Sequence, residues 1–357
     1  MPNGSLSSTI RLLRTGIVPL SAIEPLSVGY SRLRTELTTE SQEFLSGNHQ
    51  VPLFIQGEWG TGKSHALGYC RAFASKLGIP TAFVSLNART VPLNHPQRIY
   101  GELAASLRVG HTMGLRPLLH SILTNLDVRM ILTRYLSSSS NPLSSHIRSL
   151  CKYYDCGEAL NPQAEASWGF ILGEDLGWAD YAYKREQAIE RIYGLADCFR
   201  AINGGGILML MDEVETIDQL WNHRSRAVAY SVMTSLSTMQ PVWSIFAVTE
   251  RFRTLVALDA ARSHVDSVSH HARWLSNALA NGAIHTFDTP RLDGACASRL
   301  AAAITALYLE AYPQTSFSKD QIQRCVDEWG KNPGRNPRKL IRAIVNRLDL
   351  ARPLPEA

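Results

Sequence analysis

Five short apolar runs give the chain its frame: VPLFIQG (51–57), TAFVSLNA (81–88), GILMLMDE (206–213), WSIFAVTE (243–250) and AIHTFDTP (283–290). A continuous apolar run of this length, closed by glycine or charge, is how a strand covered on both faces reads. Helical patterns alternate with them at HALGYCRAFASKLGI (65–79), RIYGELAASLRV (98–109) and 224–238. Strand, helix, strand, helix in that order predicts a parallel α/β sheet. Upstream, residues 1–50 read as helical turns and a linker. Within them SVGYSRLRTELTTESQEFLSG is an amphipathic helix with Leu33, Leu37 and Phe44 on one face, stopped by Gly47.

The pattern changes between about 112 and 203. Polar spacers SSSSNPLSS and NPQAEAS separate helical pieces with no buried strand among them, so a helical insertion is expected there. From 291 the chain reads as three helices, a small bundle after the sheet. The expected division is therefore 1–50 as the N-terminal segment, 51–290 as the sheet domain with its insertion, and 291–357 as a helical lid.

Composition adds little until it is placed. The chain has 357 residues, 45% hydrophobic and 19% charged, which excludes a disordered, collagen-like or coiled-coil protein. Its net charge of +5 sits in the last helix, since 331–357 holds seven basic and two acidic groups. Bulk charge thus makes no case for nucleic acid, while a local basic segment at 331–352 does. No apolar run reaches the length of a membrane span or a signal sequence. Six scattered cysteines fit a reducing cytoplasm better than a disulfide framework.

The sharpest chemical signal is GEWGTGKS, Gly57 to Ser64, which fits G-x-x-x-x-G-K-[ST] between a strand and a helix. Glycines 57, 60 and 62 let the backbone curl so that N–H groups face phosphate oxygens, and the following helix adds its dipole. The expected ligands are ATP and Mg²⁺, held by Gly57, Glu58, Trp59, Gly60, Thr61, Gly62, Lys63, Ser64 and His65. Lys63 neutralises the β- and γ-phosphates and Ser64 joins the Mg²⁺ shell. Trp59, at a variable position, is expected to pack beside the loop. Five apolar residues then meet Asp212 and Glu213, a costly ending unless the carboxylates serve a cation or water. Asp212 is the second Mg²⁺ residue and Glu213 the general base on the attacking water.

Thr249, at the tip of the 243–250 strand, is the candidate for holding that water. This strand is expected between the loop strand and the acidic strand. Arg338, opening the last helix, is the candidate γ-phosphate cation from the lid. Arg251, Arg253, Arg262 and Arg273 compete for an arginine-finger role, and Arg224 and Arg226 are free to face DNA, a partner or solvent. His264, His270 and His271 lack metal spacing and read as solvent-facing.

GEWGTGKSH, LMLMDE, FAVTE and GRNPRKLIR, in this order, resemble an AAA+ ATPase of the origin-recognition-like and STAND-related kind. IRLLRTGIVP, NHPQRIYGELAASLR, MDEVETI and NPRKLIRAIVNRLD narrow the resemblance to the ATP-binding proteins of bacterial BREX-type phage-defence systems. It implies a cytoplasmic P-loop NTPase hydrolysing ATP beside protein partners of a defence or DNA-processing complex. It also implies homo-oligomer formation as an open alternative, with DNA contact through the ATPase surface or the 331–352 segment. A loader or target selector for transposition or replication would share every catalytic residue, and a non-catalytic ATP-binding scaffold would share the loop.

Overall fold

The computed structural model describes residues 3–48, 50–156, 162–177, 182–262, 266–331 and 336–353. The chain divides into two compact units. The larger holds Leu37–Gln56 and Phe73–Phe287; the smaller holds Met1–Glu36, Gly57–Ala72 and Asp288–Ala357.

The larger unit is built on a seven-stranded sheet. Its strands are β1 (Leu53–Gln56), β2 (Thr81–Ser85), β3 (Arg108–Val109), β4 (Thr112–Met113), β5 (Ile207–Asp212), β6 (Val242–Val248) and β7 (His285–Asp288), in the order β4-β3-β2-β5-β6-β1-β7. β6 lies between β1 and β5, as expected. Strands β1, β6, β5 and β2 run parallel in register Gln56↔Val248, Leu210↔Ile245 and Ser85↔Asp212. Every residue of β5 and β6 is buried, which explains why both read as unbroken apolar runs.

The sheet is mixed, which corrects the expectation of a parallel one. β3 pairs antiparallel with both β2 and β4. This hairpin turns at Gly110, whose φ of 55° suits glycine, and each of its strands is two residues long, too short to leave a periodic signal. β4 also falls inside the stretch that reads as purely helical.

Helices alternate with the strands along the chain. α1 (Asn3–Arg14) and α2 (Ser31–Leu45) precede it; α3 (Lys63–Lys76) and α4 (Pro96–Ser106) follow β1 and β2. The stretch after β4 supplies α5 (Leu115–Thr124), α6 (Leu126–Ser138), α7 (Ser144–Cys156), α8 (Pro162–Leu172) and α9 (Ala182–Asn203). These are tied by polar groups as well as apolar ones. Asp197, 1% exposed, accepts from Tyr135, Asn141 and Arg200, and Arg191 forks onto Asp175 at 2.6 Å. Each buried charge is therefore answered by a partner. α10 (His223–Thr238) leads into β6, and α11 (Glu250–Ala261) and α12 (Asp266–Ala280) form a helical pair before β7.

In the smaller unit α13 (Gly294–Ala311), α14 (Lys319–Gly330) and α15 (Pro337–Leu350) bundle around Leu300, Ile304, Tyr308, Trp329, Ile344 and Leu348. α1 joins this core through Ile10 and Leu13. Arg14 at its end donates twice to Asp349 of α15 at 2.7 Å, and Tyr308 donates to the same carboxylate at 2.6 Å. These bonds hold Asp349 below the usual carboxylate range despite its burial.

Candidate phosphate-binding site

The loop belongs to the smaller unit. β1 ends at Gln56, and the chain turns through Gly60 and Gly62, whose φ values of 79° and 109° are open to glycine and unfavourable for other residues. At Gly57 the demand is space: a Cβ there would stand 2.1 Å from Thr289 Oγ1 and 2.4 Å from Thr61 Oγ1. Thr289 donates to Thr61 at 2.9 Å, and Thr61 donates on to the Glu58 carbonyl at 2.8 Å. The segment after β7 thus laces the loop shut. α3 starts at Lys63, leaving the first N–H groups of the helix without intrahelical partners.

Lys63 folds back so that its ammonium donates to the Gly57 carbonyl at 3.1 Å and the Glu58 carbonyl at 3.4 Å. A largely buried cation resting on loop carbonyls, beside a helix N-terminus, suits a polyphosphate: the anion can take the ammonium and the helix N–H groups together. Glu58 and Ser64 are exposed, leaving the Ser64 hydroxyl open to solvent. Trp59 does not pack beside the loop: it is 70% exposed, with Lys63 Nζ 5.4 Å from its ring centre.

His65 faces the other way. Its Nε2 lies 2.8 Å from Ser27 Oγ and its ring 5.5 Å from that of Tyr30, itself beside Tyr69. Ser27 spends its own proton on the Ile23 carbonyl at 2.6 Å, so the imidazole is the donor, through an Nε2–H tautomer. Burial pushes His65 down to about 4, keeping it neutral at neutral pH.

The larger unit carries a separate set of groups at the carboxyl ends of its parallel strands. Asp212 ends β5, 7% exposed, and accepts the Glu213 N–H at 2.9 Å. Glu213 has φ 58° and ψ 38°, the left-handed region, and is the one non-glycine residue with positive φ among the described residues. Such a backbone costs on the order of 1–3 kcal/mol and clusters at functional positions. Thr249 follows β6 at 3% exposure and opens α11, yet its side chain makes no capping bond. Capping therefore does not account for it.

The arginines separate clearly. Arg226 is not on the surface: it is buried on Asp259 at 2.9 Å, where Tyr230 also donates at 3.0 Å. Arg262 joins the same carboxylate at 3.3 Å, Arg251 pairs with Asp218 at 2.7 Å, and Arg253 donates to Gln56 at 3.3 Å. Arg224 and Arg273 are exposed. His270 is exposed, whereas His271 is half-buried against it and held below the usual range by desolvation; His264 lies outside the described residues. Arg338 is exposed in the first turn of α15, its Cβ close against Gly16. Among the described residues no three His, Cys, Asp or Glu side chains gather as a metal-ligand group, and no helix is long and apolar enough to cross a membrane.

Residues 4–151 match the family model described as BREX system ATP-binding protein BrxC/D. The match includes the whole Gly57–Ser64 loop and stops before Asp212, Glu213, Thr249 and Arg338. No curated protein matches the chain. Two residues against the loop, Thr289 and Asn336, escaped sequence reasoning. The Asn-Pro pair at 336–337, an N-cap followed by proline at the first helical position, was the available signal for one of them.

Proposed function

We propose that this chain is a Mg²⁺-dependent ATP-binding and hydrolysing AAA+ switch that works with protein partners in a DNA-associated phage-defence complex. The observation that carries the reading is Lys63, drawn onto the Gly57 and Glu58 carbonyls inside a glycine-turned loop at the head of α3. The family description matched over 4–151 supports nucleotide binding and the BREX setting.

In this reading bound ATP with Mg²⁺ supplies a phosphoryl group open to in-line attack by water. The loop N–H groups and Lys63 bind and orient the polyphosphate. Ser64 is the loop's candidate ligand for the cation and Asp212 the larger unit's, and the cation would neutralise charge on the phosphates. Glu213 takes the proton of the attacking water, Thr249 fixes that water's position, and Arg338 contributes a lid cation. The expected test separates binding from turnover. Lys63→Ala abolishes binding of a labelled ATP analogue. Glu213→Gln keeps binding and slows hydrolysis by roughly 10²–10⁴-fold, the usual worth of a general base. Glu213→Gln turning over ATP like the wild type would remove the base assignment. A wild type that binds ATP but hydrolyses none with DNA and partners present would make the protein a nucleotide-held scaffold.

A further inference from the structure

Arg338 is the obvious lid residue, but another side chain of the lid is the one that lies on the phosphate loop. At the Gly60 turn, a Cβ would stand 3.1 Å from Asn336 Nδ2 and 3.7 Å from Asn336 Cγ. Loop and side chain belong to the same compact unit.

The rest of Asn336 is fixed. Its Oδ1 accepts the Arg338 N–H at 2.8 Å and so caps α15, with Pro337 preset for the first helical position. Its carbonyl accepts the indole N–H of Trp329 at 3.0 Å, and Trp329 is 6% exposed in the bundle core. A carboxamide is planar, with its oxygen and its NH₂ on opposite edges. Committing Oδ1 to the helix therefore turns the two amide protons outward, toward Gly60. The cap is doing more than ending a helix: it aims a neutral donor at the loop. Serine or aspartate would cap α15 equally well, and neither carries an N–H donor.

The geometry points to Asn336 as a binding residue for the polyphosphate, its Nδ2 donating to a phosphate oxygen held by the Gly57–Ser64 loop. The same side chain that starts α15 thereby contacts the phosphate. This rests on the nucleotide reading above and adds to it the lid residue that touches the ligand. Because Trp329 and the α15 cap hold the same asparagine, a phosphate contact there is transmitted to the bundle core through two hydrogen bonds.

The test uses cap-preserving variants of the full chain, with thermal melting and direct titration of a non-hydrolysable ATP analogue and of ADP. Asn336→Asp keeps the cap and melts with the wild type, but presents a carboxylate oxygen where the donor was. It is expected to bind the analogue at least tenfold more weakly, and ADP with a smaller loss. Asn336→Ser, uncharged and short, loses several-fold on both. Asn336→Asp binding the analogue like the wild type, while Lys63→Ala does not bind, would reduce Asn336 to a helix cap and leave the nucleotide reading standing. No binding by the wild type would overturn both. A tenfold loss in Asn336→Ala alone, accompanied by a lower melting temperature, would count against the proposal, since that pattern is the loss of a cap.

Discussion

Gly57→Ala tests whether the loop is laced by Thr289 as the structure shows. The new methyl would stand 2.1 Å from Thr289 Oγ1 and 2.4 Å from Thr61 Oγ1. Ordinary C···O approach is about 3.3–3.6 Å, so each hydroxyl must retreat by roughly 1 Å. Thr289 is 7% exposed and has little room to do so. Overfilling a packed site costs about 1–3 kcal/mol. Losing the 2.9 Å Thr289–Thr61 bond adds about 0.5–1.5 kcal/mol. The expected destabilisation is therefore about 2–4 kcal/mol by urea unfolding, with nucleotide binding lost alongside.

Thr289→Ala supplies the decisive comparison, because it removes the nearer oxygen, leaves the Thr289 Cβ 3.3 Å away, and gives Thr61 Oγ1, at 2.4 Å, room to turn aside. The double variant should be more stable than the two single changes added together, by at least about 1 kcal/mol, as expected for groups in contact. Gly101→Ala is the control. It lies inside α4 with nothing within 4 Å of its added Cβ, and should gain about 0.5–1 kcal/mol from helix propensity. Simple additivity of Gly57→Ala and Thr289→Ala would refute the lacing.

Asp259→Asn should cost about 3–5 kcal/mol, because it leaves Arg226 buried without a counter-charge; a loss under about 1 kcal/mol in urea unfolding would contradict the buried pair. His65, at about 4 in the folded chain against the ordinary 6.5 of an imidazole, binds its proton more readily when unfolded. Its contribution is complete above pH 6.5 and declines as pH falls from there toward 4, at a slope of up to about 1.4 kcal/mol per pH unit. His65→Gln should flatten the fall in melting temperature across that window, and an unchanged slope would show that His65 is not the group responsible.

Several features were legible because they are local. The loop is one contiguous motif, and β5 and β6 read as apolar runs because every residue of both strands is buried. Asp212 and Glu213 stood out as carboxylates closing such a run. What was illegible depends on distant pairings. Arg226 looks like a surface residue until Asp259 is placed 33 positions later in the same buried pocket. Thr289 is 228 residues from Thr61, and nothing around it announces a contact. The left-handed backbone of Glu213 leaves no mark in composition, and the β3–β4 hairpin is shorter than any period that could betray it.

The basic excess at the end of the chain can now be read residue by residue. Arg342 gives two N–H groups to the Thr15 carbonyl at 2.8 and 3.0 Å, and Arg352 lies 4.0 Å from the Tyr312 ring. Arg347 lines a cavity of about 300 Å³ with Ser316, Ser318 and Gln321. Arg335 lies outside the described residues. A carbonyl thus holds Arg342, while Arg352 faces a ring and lies in the field of Asp349. Arg338 and Lys339 differ, being exposed in the first turn of α15, a turn with no acidic residue. Cations there oppose the positive end of the helix dipole, an arrangement that costs a few tenths of a kcal/mol or more and that a bound anion relieves. The same turn begins at Asn336, whose amide lies on the Gly60 loop. Two of the seven basic groups of 331–357, Arg338 and Lys339, thus lie beside Asn336 in the first turn of α15, so the charge excess of this segment does not by itself argue for a nucleic-acid surface.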